Sequence, residues 1–307
     1  MEMSILITGI NGFIGKNLWR MLSRSKRKVI PGRGGRILSR GKKDNSDRTL
    51  DGTNEDSLKR YQGEKIDYII HLAAKTSIED SVKNPYRTFF TNTVGTLNLL
   101  EFARTKHIKN FIFVSTYVYG KPEYLPIDEN HPLKPHSPYN SSKLIGEKLC
   151  ENYAQEYGLN IASLRPFCIY GPDNKASSLV QKAITAINKS EVMVLSGLKT
   201  RRDFLYVDDL VELIIKIIDN FPNNYNVYNV GYGVSYNIGE VAKRIALLLN
   251  KEVKIQYRKS VENEILDMTA DISKVSKKFD WKPKIDLDSG LKLIVRNYLK
   301  NTQFKYA

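Results

Sequence analysis

Tyr139-Asn140-Ser141-Ser142-Lys143 sets a phenol and an ammonium one helical turn apart, and therefore on one face. A lysine charge close by favours the phenolate, lowers the tyrosine pKa and makes it a usable acid/base near neutral pH. Spacing alone selects nothing, because Tyr61/Lys65 and Tyr117/Lys121 match it in a chain with 18 tyrosines. Position does select. Only Tyr139 begins a long helical pattern, after a proline-rich stretch and shortly after a strand-like run that ends in the hydroxyls Ser115-Thr116. Carboxyl ends of strands are where parallel sheets bind ligands.

A second constellation lies at the amino terminus. Thr8-Gly9-Ile10-Asn11-Gly12-Phe13-Ile14-Gly15 follows the apolar run Ile5-Leu6-Ile7 and leads into apolar residues at helical spacing through Trp19. Strand, tight glycine turn and helix start form the context in which glycines so spaced bind a dinucleotide. Gly9 permits the turn, Gly12 lets the backbone approach a pyrophosphate, and Gly15 lets the helix pack on the strand. The phosphates would meet unpaired N–H groups at the helix start, around Phe13 and Ile14, and the positive end of its dipole.

The elements that must carry these groups alternate over the first half of the chain, the pattern of a parallel sheet covered by helices. Strands are expected around Lys28–Ile30 (closed by Pro31-Gly32), at Asp67–Leu72, Phe111–Ser115 and Ile161–Phe167. Helices are expected at Thr93–His107, with Val94, Leu97, Leu100 and Phe102 inward, and at Tyr139–Tyr157. Pro122–Pro138 holds five prolines and reads as an irregular connection. Residues 32–49, rich in glycine and charge, read as an exposed loop. Beyond Phe167 short strands (Val192–Leu195, Val227–Val230, Val253–Gln256) are mixed with helices. The expected organisation is α/β: a doubly wound parallel sheet over residues 1–167, with a returning segment near 201–235, and a smaller mixed α/β substrate domain over 168–307.

Hydrophobic content of 41% and charged content of 26% are those of a globular protein. A net charge of +15 is spread along the chain without a basic-aromatic motif, so no nucleic-acid partner is expected; the field suits an anionic small molecule. The most apolar helix candidate, Leu210–Phe221, is interrupted by Glu212, Lys216 and Asp219, which argues against a membrane span. Asp208-Asp209, just before it, read as capping acids. Cys150 and Cys168 are too few for a disulfide framework or a cysteine zinc site, and no His/Asp/Glu cluster has metal spacing. With no export signal in Met1–Ile7, a cytoplasmic location is expected.

Taken together, the chain resembles an extended short-chain dehydrogenase/reductase of the branch that modifies nucleotide sugars. The carriers are the Thr8–Gly15 turn, His71-Leu72-Ala73-Ala74, Asn92-Thr93-Val94-Gly95-Thr96, Ser115-Thr116-Tyr117-Val118-Tyr119-Gly120, Tyr139–Lys143, Arg165-Pro166 with Tyr170-Gly171-Pro172, and Arg202-Asp203-Phe204 before Val207-Asp208-Asp209. The resemblance implies NAD or NADP as cofactor, a nucleoside-diphosphate sugar as substrate, and a homodimer formed by the Thr93–His107 and Tyr139–Tyr157 helices. Tyr139 would be the acid/base on a sugar hydroxyl or ketone, and Lys143 would hold the nicotinamide ribose. Thr116, or Ser115 when counted back from Tyr119-Gly120, would bond the same sugar oxygen; strand register favours Thr116. Leu72, Ala73, Ala74, Asp51 and Pro166 would lie along the cofactor, with Asn92 as a supporting partner. Arg202 would pair with the substrate diphosphate, with Cys168 and Thr76 also on the substrate side.

Four departures sharpen the expectation. Tyr117-Val118 stand where dehydratases and decarboxylases of the family carry an acid, which disfavours those reactions. No acid follows Ile30 before Asp44; Arg33, Arg36 and Arg40 lie there, and Arg33 could meet the 2′-phosphate of NADP. Cys168 replaces a usual Asn, and Val261–Asp267 lacks a usual Arg. Hydride transfer at sugar C4, by a 4-ketoreductase or a 4-epimerase, is the expected chemistry; a non-catalytic cofactor sensor would need neither Tyr139 nor Lys143.

Overall fold

A computed structural model describes residues 3–25, 27–32, 53, 56–174, 178–258 and 265–303. In chain order its strands are β1 (Ser4–Thr8), β2 (Lys28–Gly32), β3 (Tyr68–His71), β4 (Asn110–Val114), β5 (Asn160–Pro166), β6 (Cys168–Tyr170), β7 (Met193–Leu195), β8 (Arg201–Tyr206), β9 (Tyr225–Val230), β10 (Ser235–Asn237) and β11 (Ile255–Tyr257). Every residue of β1 is buried, as an unbroken apolar strand in the middle of a parallel sheet must be. The sheet around it has the order β2-β1-β3-β4-β5-β9. The pairs β1–β2, β1–β3, β3–β4 and β4–β5 are parallel. Helices connect these strands, and one apolar cluster under the sheet joins Leu6, Ile69, Phe111 and Ile161 to Leu99, Ala103 and Ala154. This is the expected doubly wound fold. The strand order reverses between β1 and β3, the place where such sheets open to a ligand.

The Pro138–Tyr157 helix owes its limits to its ends. Ser137 accepts a hydrogen bond from the Asn140 N–H, Pro138 fills the first turn, and Gly158 closes the helix at φ 64°. Its expected start and end hold to within a residue. The other expected helix differs. A π-helical turn, Phe90–Val94, precedes the α-helix Gly95–Thr105. Leu97 points outward, against expectation, because Leu99, Leu100 and Ala103 take the buried face. Pro31 and Gly32 also depart from expectation, continuing β2 opposite Ile7 and Thr8 instead of closing it. Among the described residues β2 is an edge strand, so the proline's missing N–H costs no ladder bond.

The chain forms two compact units, one of Met1–Val118, Leu133–Arg165 and Ile214–Tyr228, the other of Tyr119–Pro132, Pro166–Leu213 and Asn229–Ala307. In the second, β8 lies between β10 and β6, antiparallel to one and parallel to the other. β7 and β11 pair separately. Asp208 and Asp209 fall inside the Val207–Asp219 helix and not before it. The Asp209 carboxylate accepts from the Lys284 and Ile285 N–H groups at 3.1 Å each, so it anchors a distant loop and does not cap its own helix. No described helix is long and apolar enough to cross a membrane.

Candidate active site

The carboxyl ends of β1, β3 and β4 share one edge of the sheet, because the three strands run parallel. At β1 the chain turns at Gly9, whose φ of +69° favours glycine. A Cβ there would come within 2.6 Å of the Ala73 nitrogen, so β3's exit and the turn are packed backbone to backbone. Gly15 is as constrained, since its Cβ would stand 2.3 Å from the Gly9 oxygen. The Phe13–Leu22 helix starts with no side-chain cap and no acid in its first turn, leaving its N–H groups to an anion. Beside them the Asn11 Nδ2 is enclosed and has no hydrogen-bond partner. A backbone cradle, an uncapped helix start and an orphan donor fit a dinucleotide's pyrophosphate. The spacing of the glycines does not mark the Asn11 donor.

Ala73 donates to the Thr8 hydroxyl at 3.3 Å, and Leu72 to the Thr8 carbonyl at 3.3 Å. Asn92, buried in the π-helical turn, accepts from the Lys75 N–H at 2.8 Å and donates to the Lys75 carbonyl at 3.0 Å. Its Nδ2 also donates to Ser142 at 2.9 Å. The segment after Ala73 and Ala74 is thereby tied to the helix that carries Tyr139. Thr76 is exposed just before the Ile78–Lys83 helix.

Tyr139 and Thr116 are brought together at the end of β4. The Thr116 hydroxyl hydrogen-bonds the phenol and pulls its pKa down, while enclosure of the phenol pushes it further up, leaving it above the ordinary tyrosine value. Ser115, one residue earlier, is buried and its hydroxyl has no partner. Lys143, one turn along the same helix, carries its ammonium 4.0 Å from the centroid of the Phe113 ring. Burial lowers the Lys143 pKa from 10.5 to about 8. Spacing put the two on one helix face; a four-carbon arm then chose the aromatic face beneath it.

One turn beyond Lys143, Glu147 forms a buried pair with Arg165 of β5: Nε to both carboxylate oxygens at 3.1 Å and Nη2 to Oε2 at 2.6 Å. Sequence patterns marked Arg165 only as part of a motif.

In the second unit Arg202 and Cys168 line one cavity of about 300 Å³, with Tyr170, Ser178, Thr200 and Phe204. Arg202 donates to the Arg201 and Ile265 carbonyls at 2.7 and 2.9 Å. Burial raises the Cys168 pKa to about 11, so the thiol is neutral at physiological pH. Asp203, the next residue of β8, is held by backbone donors. It accepts from the Tyr232, Gly233 and Ala270 N–H groups, and burial lifts its pKa to about 6. Pro166 ends β5. Arg33, Arg36, Arg40, Asp44, Asp51 and residues 261–264 lie outside the described residues, and the described ones hold no group of three or more His, Cys, Asp or Glu placed to bind a metal.

The model of the NAD dependent epimerase/dehydratase family matches residues 5–231. A Methanocaldococcus jannaschii protein that carries the name UDP-glucose 4-epimerase provisionally is 34% identical, over 97% of this chain and 98% of that one. The UDP-glucose 4-epimerase of Thermotoga maritima, solved with UDP-glucose, superposes with a TM-score of 0.87 at 29% identity, over 98% and 100% of the two chains. RMD from Pseudomonas aeruginosa, solved with NADPH, gives 0.84 at 26% identity, over 97% and 99%.

Proposed function

The chain belongs to the NAD-dependent epimerase/dehydratase family, and on that footing we propose that it is a nucleotide-sugar 4-epimerase with Tyr139 as its acid/base. The observation that carries the proposal is the Thr116–Tyr139 hydrogen bond on the sheet edge where the Gly9 cradle opens. When bound, the dinucleotide supplies the hydride acceptor and donor, so that C4 is oxidised and then reduced on its opposite face. Tyr139 takes the proton from the C4 hydroxyl and later returns it. Thr116 orients the phenol and the same sugar oxygen. Lys143, on the helix face of Tyr139, leaves the Phe113 ring to hold the cofactor ribose and favour the phenolate. Arg202 meets the diphosphate with a planar guanidinium fork.

A C4 ketoreductase is the second reading, favoured by one specific observation. The raised Tyr139 pKa keeps the phenol protonated at neutral pH, the state from which a ketone oxygen receives its proton. Both reactions use the same residues, and one assay separates them. Incubation with UDP-glucose and catalytic protein should yield the C4-inverted sugar with no net consumption of added dinucleotide. Stoichiometric loss of NADPH with a 4-keto sugar, and no inversion, would move the assignment to the reductase. The stretch before Asp44, free of acids, supports acceptance of NADP(H) beside NAD.

Replacing Arg202 by alanine should raise the apparent substrate constant by about 1.5–3 kcal/mol, the range for a charged hydrogen bond. Dinucleotide affinity should stay unchanged; an equal loss of it would place Arg202 on the cofactor.

The proposed enzyme is a homodimer. Ile78, Val82, Tyr86, Phe90 and Leu97 are exposed apolar residues on successive helical segments of the first unit, and Ile145 is another on the Tyr139 helix. Covering them is the usual reason for such a face. Sedimentation should show twice 35.2 kDa at micromolar concentration; a species of 35.2 kDa alone would contradict this.

A further inference from the structure

His71 ends β3, is 3% exposed and packs edge-on to Phe111 and tilted against Phe113, with ring centroids 6.2 and 5.8 Å away. Both of its ring nitrogens are engaged. Nδ1 lies 2.7 Å from the Thr8 hydroxyl and Nε2 lies 3.1 Å from the Thr96 hydroxyl.

The neighbours decide which nitrogen carries the proton. The Thr96 hydroxyl sits 2.6 Å from the Asn92 carbonyl. A carbonyl brings no hydrogen, so the single Thr96 proton must lie in that bond. Nε2 must therefore donate to Thr96. A neutral imidazole then has a bare Nδ1, which accepts from Thr8. The Thr8 oxygen in turn accepts from the Ala73 N–H at 3.3 Å. Every bond along the chain now points one way: Ala73 to Thr8 to His71 to Thr96 to the Asn92 backbone. The Asn92 side chain continues to Ser142 at 2.9 Å, and Ser142 donates to the Tyr139 carbonyl at 2.7 Å. Burial, and after it the Lys143 charge, hold the His71 pKa well below its ordinary value, so the ring stays neutral. A proton on Nδ1 would confront the Thr8 hydrogen.

We propose that His71, as its Nε2–H tautomer, is a positioning residue that couples the dinucleotide turn at Thr8-Gly9 to the helix carrying Tyr139. This rests on the dinucleotide reading of that turn. The Thr8 arm holds the hydroxyl that receives Ala73, the residue in backbone contact with Gly9, and so sets the cofactor seat. The Thr96 arm fixes the π-helical turn and, through Asn92 and Ser142, the start of the helix on which Tyr139 stands. Neither arm touches a reacting atom.

Two substitutions separate the arms, because asparagine and glutamine reach different ring positions. His71→Asn places an amide oxygen where Nδ1 stands and nothing at Nε2. His71→Gln places an amide nitrogen where Nε2 stands and no acceptor at Nδ1. Dinucleotide affinity, followed by fluorescence titration, and kcat at saturation should split in opposite senses. The Asn variant should keep its affinity and lose about five- to tenfold in kcat, the size of one hydrogen bond. The Gln variant should keep kcat and lose affinity by about the same factor. Shifts of equal size in both quantities for both variants, or no shift in either, would reduce His71 to core packing and overturn the proposal. The wild-type imidazole nitrogen spectrum is a second, independent readout. It should show a protonated Nε2 and a bare Nδ1 at neutral pH; a protonated Nδ1 overturns the wiring. A wild-type protein that takes up no dinucleotide contradicts the functional reading, and the nitrogen spectrum still decides the tautomer.

Discussion

Tyr139→Phe should lower turnover by about 10²–10⁴-fold, the value of a positioned proton-transfer group, while dinucleotide affinity changes little. The substitution removes one oxygen and almost no volume, so helix and cofactor seat stay as they are. The loss follows from the Thr116–Tyr139 contact. Thr116 supplies the side-chain hydrogen bond to that phenol, and the Lys143 ammonium rests on Phe113. Thr116→Val should therefore cost more in kcat than Ser115→Ala, because the Ser115 hydroxyl meets no partner. The pH dependence has a definite sign. Burial brings the Lys143 pKa down to about 8, so its charge is present below that value and lost above it. Any step that needs the ammonium weakens as pH rises through about 8. Retention of more than about one percent of activity by Tyr139→Phe would remove it from the role of acid/base.

Arg165→Met should destabilise the protein by about 3–5 kcal/mol, because it leaves the Glu147 carboxylate buried without its counter-ion. The side chains of the pair are 5% and 2% exposed, and three of the guanidinium–carboxylate contacts are 3.1 Å or shorter. Tyr225 lies beside the same pair, its phenol kept neutral by burial and by the Glu147 charge. The double substitution Glu147→Leu with Arg165→Met should recover most of the stability, as well-packed apolar residues replace buried ion pairs at little cost. Chemical denaturation of the first unit measures both. A single variant within about 1 kcal/mol of wild type would mean that water or another cation reaches Glu147. The pair matters for chemistry because Glu147 stands two turns along the helix from Tyr139, while Arg165 belongs to the strand beside β4. It pins the Tyr139 helix to β5, the neighbour of the strand that leads to Thr116.

Much of this was legible in residue order. The Ile5–Ile7 run, the Gly9 and Gly15 spacings and the start of the Tyr139 helix, within one residue, each depend on local chemistry, and each appears where local chemistry puts it. What was not legible depends on partners far along the chain. Arg202-Asp203-Phe204 is marked in the sequence as a motif but not as a strand; it belongs to β8, where Asp203 accepts from the backbone N–H groups of Tyr232, Gly233 and Ala270. Leu97 reads as core on periodicity; the Gly95–Thr105 helix has more apolar residues than one face can bury, and Leu99 and Leu100 prevail. Spacing placed Lys143 beside Tyr139 but could not foresee the Phe113 ring that receives the ammonium. His71 is the same case. The His71-Leu72-Ala73-Ala74 motif marks the residue, but its wiring is legible only once Thr8 and Thr96 are found at its two nitrogens.

Hydride transfer at C4 is the claim on which the functional account stands, and deuterium at C4 of UDP-glucose tests it most directly. If the hydrogen leaves as hydride to a bound dinucleotide and returns on the other face, the inverted sugar keeps its deuterium at C4 in ordinary water. Inverted product that has lost the label to solvent would mean that C4 gives up a proton, and would contradict the account.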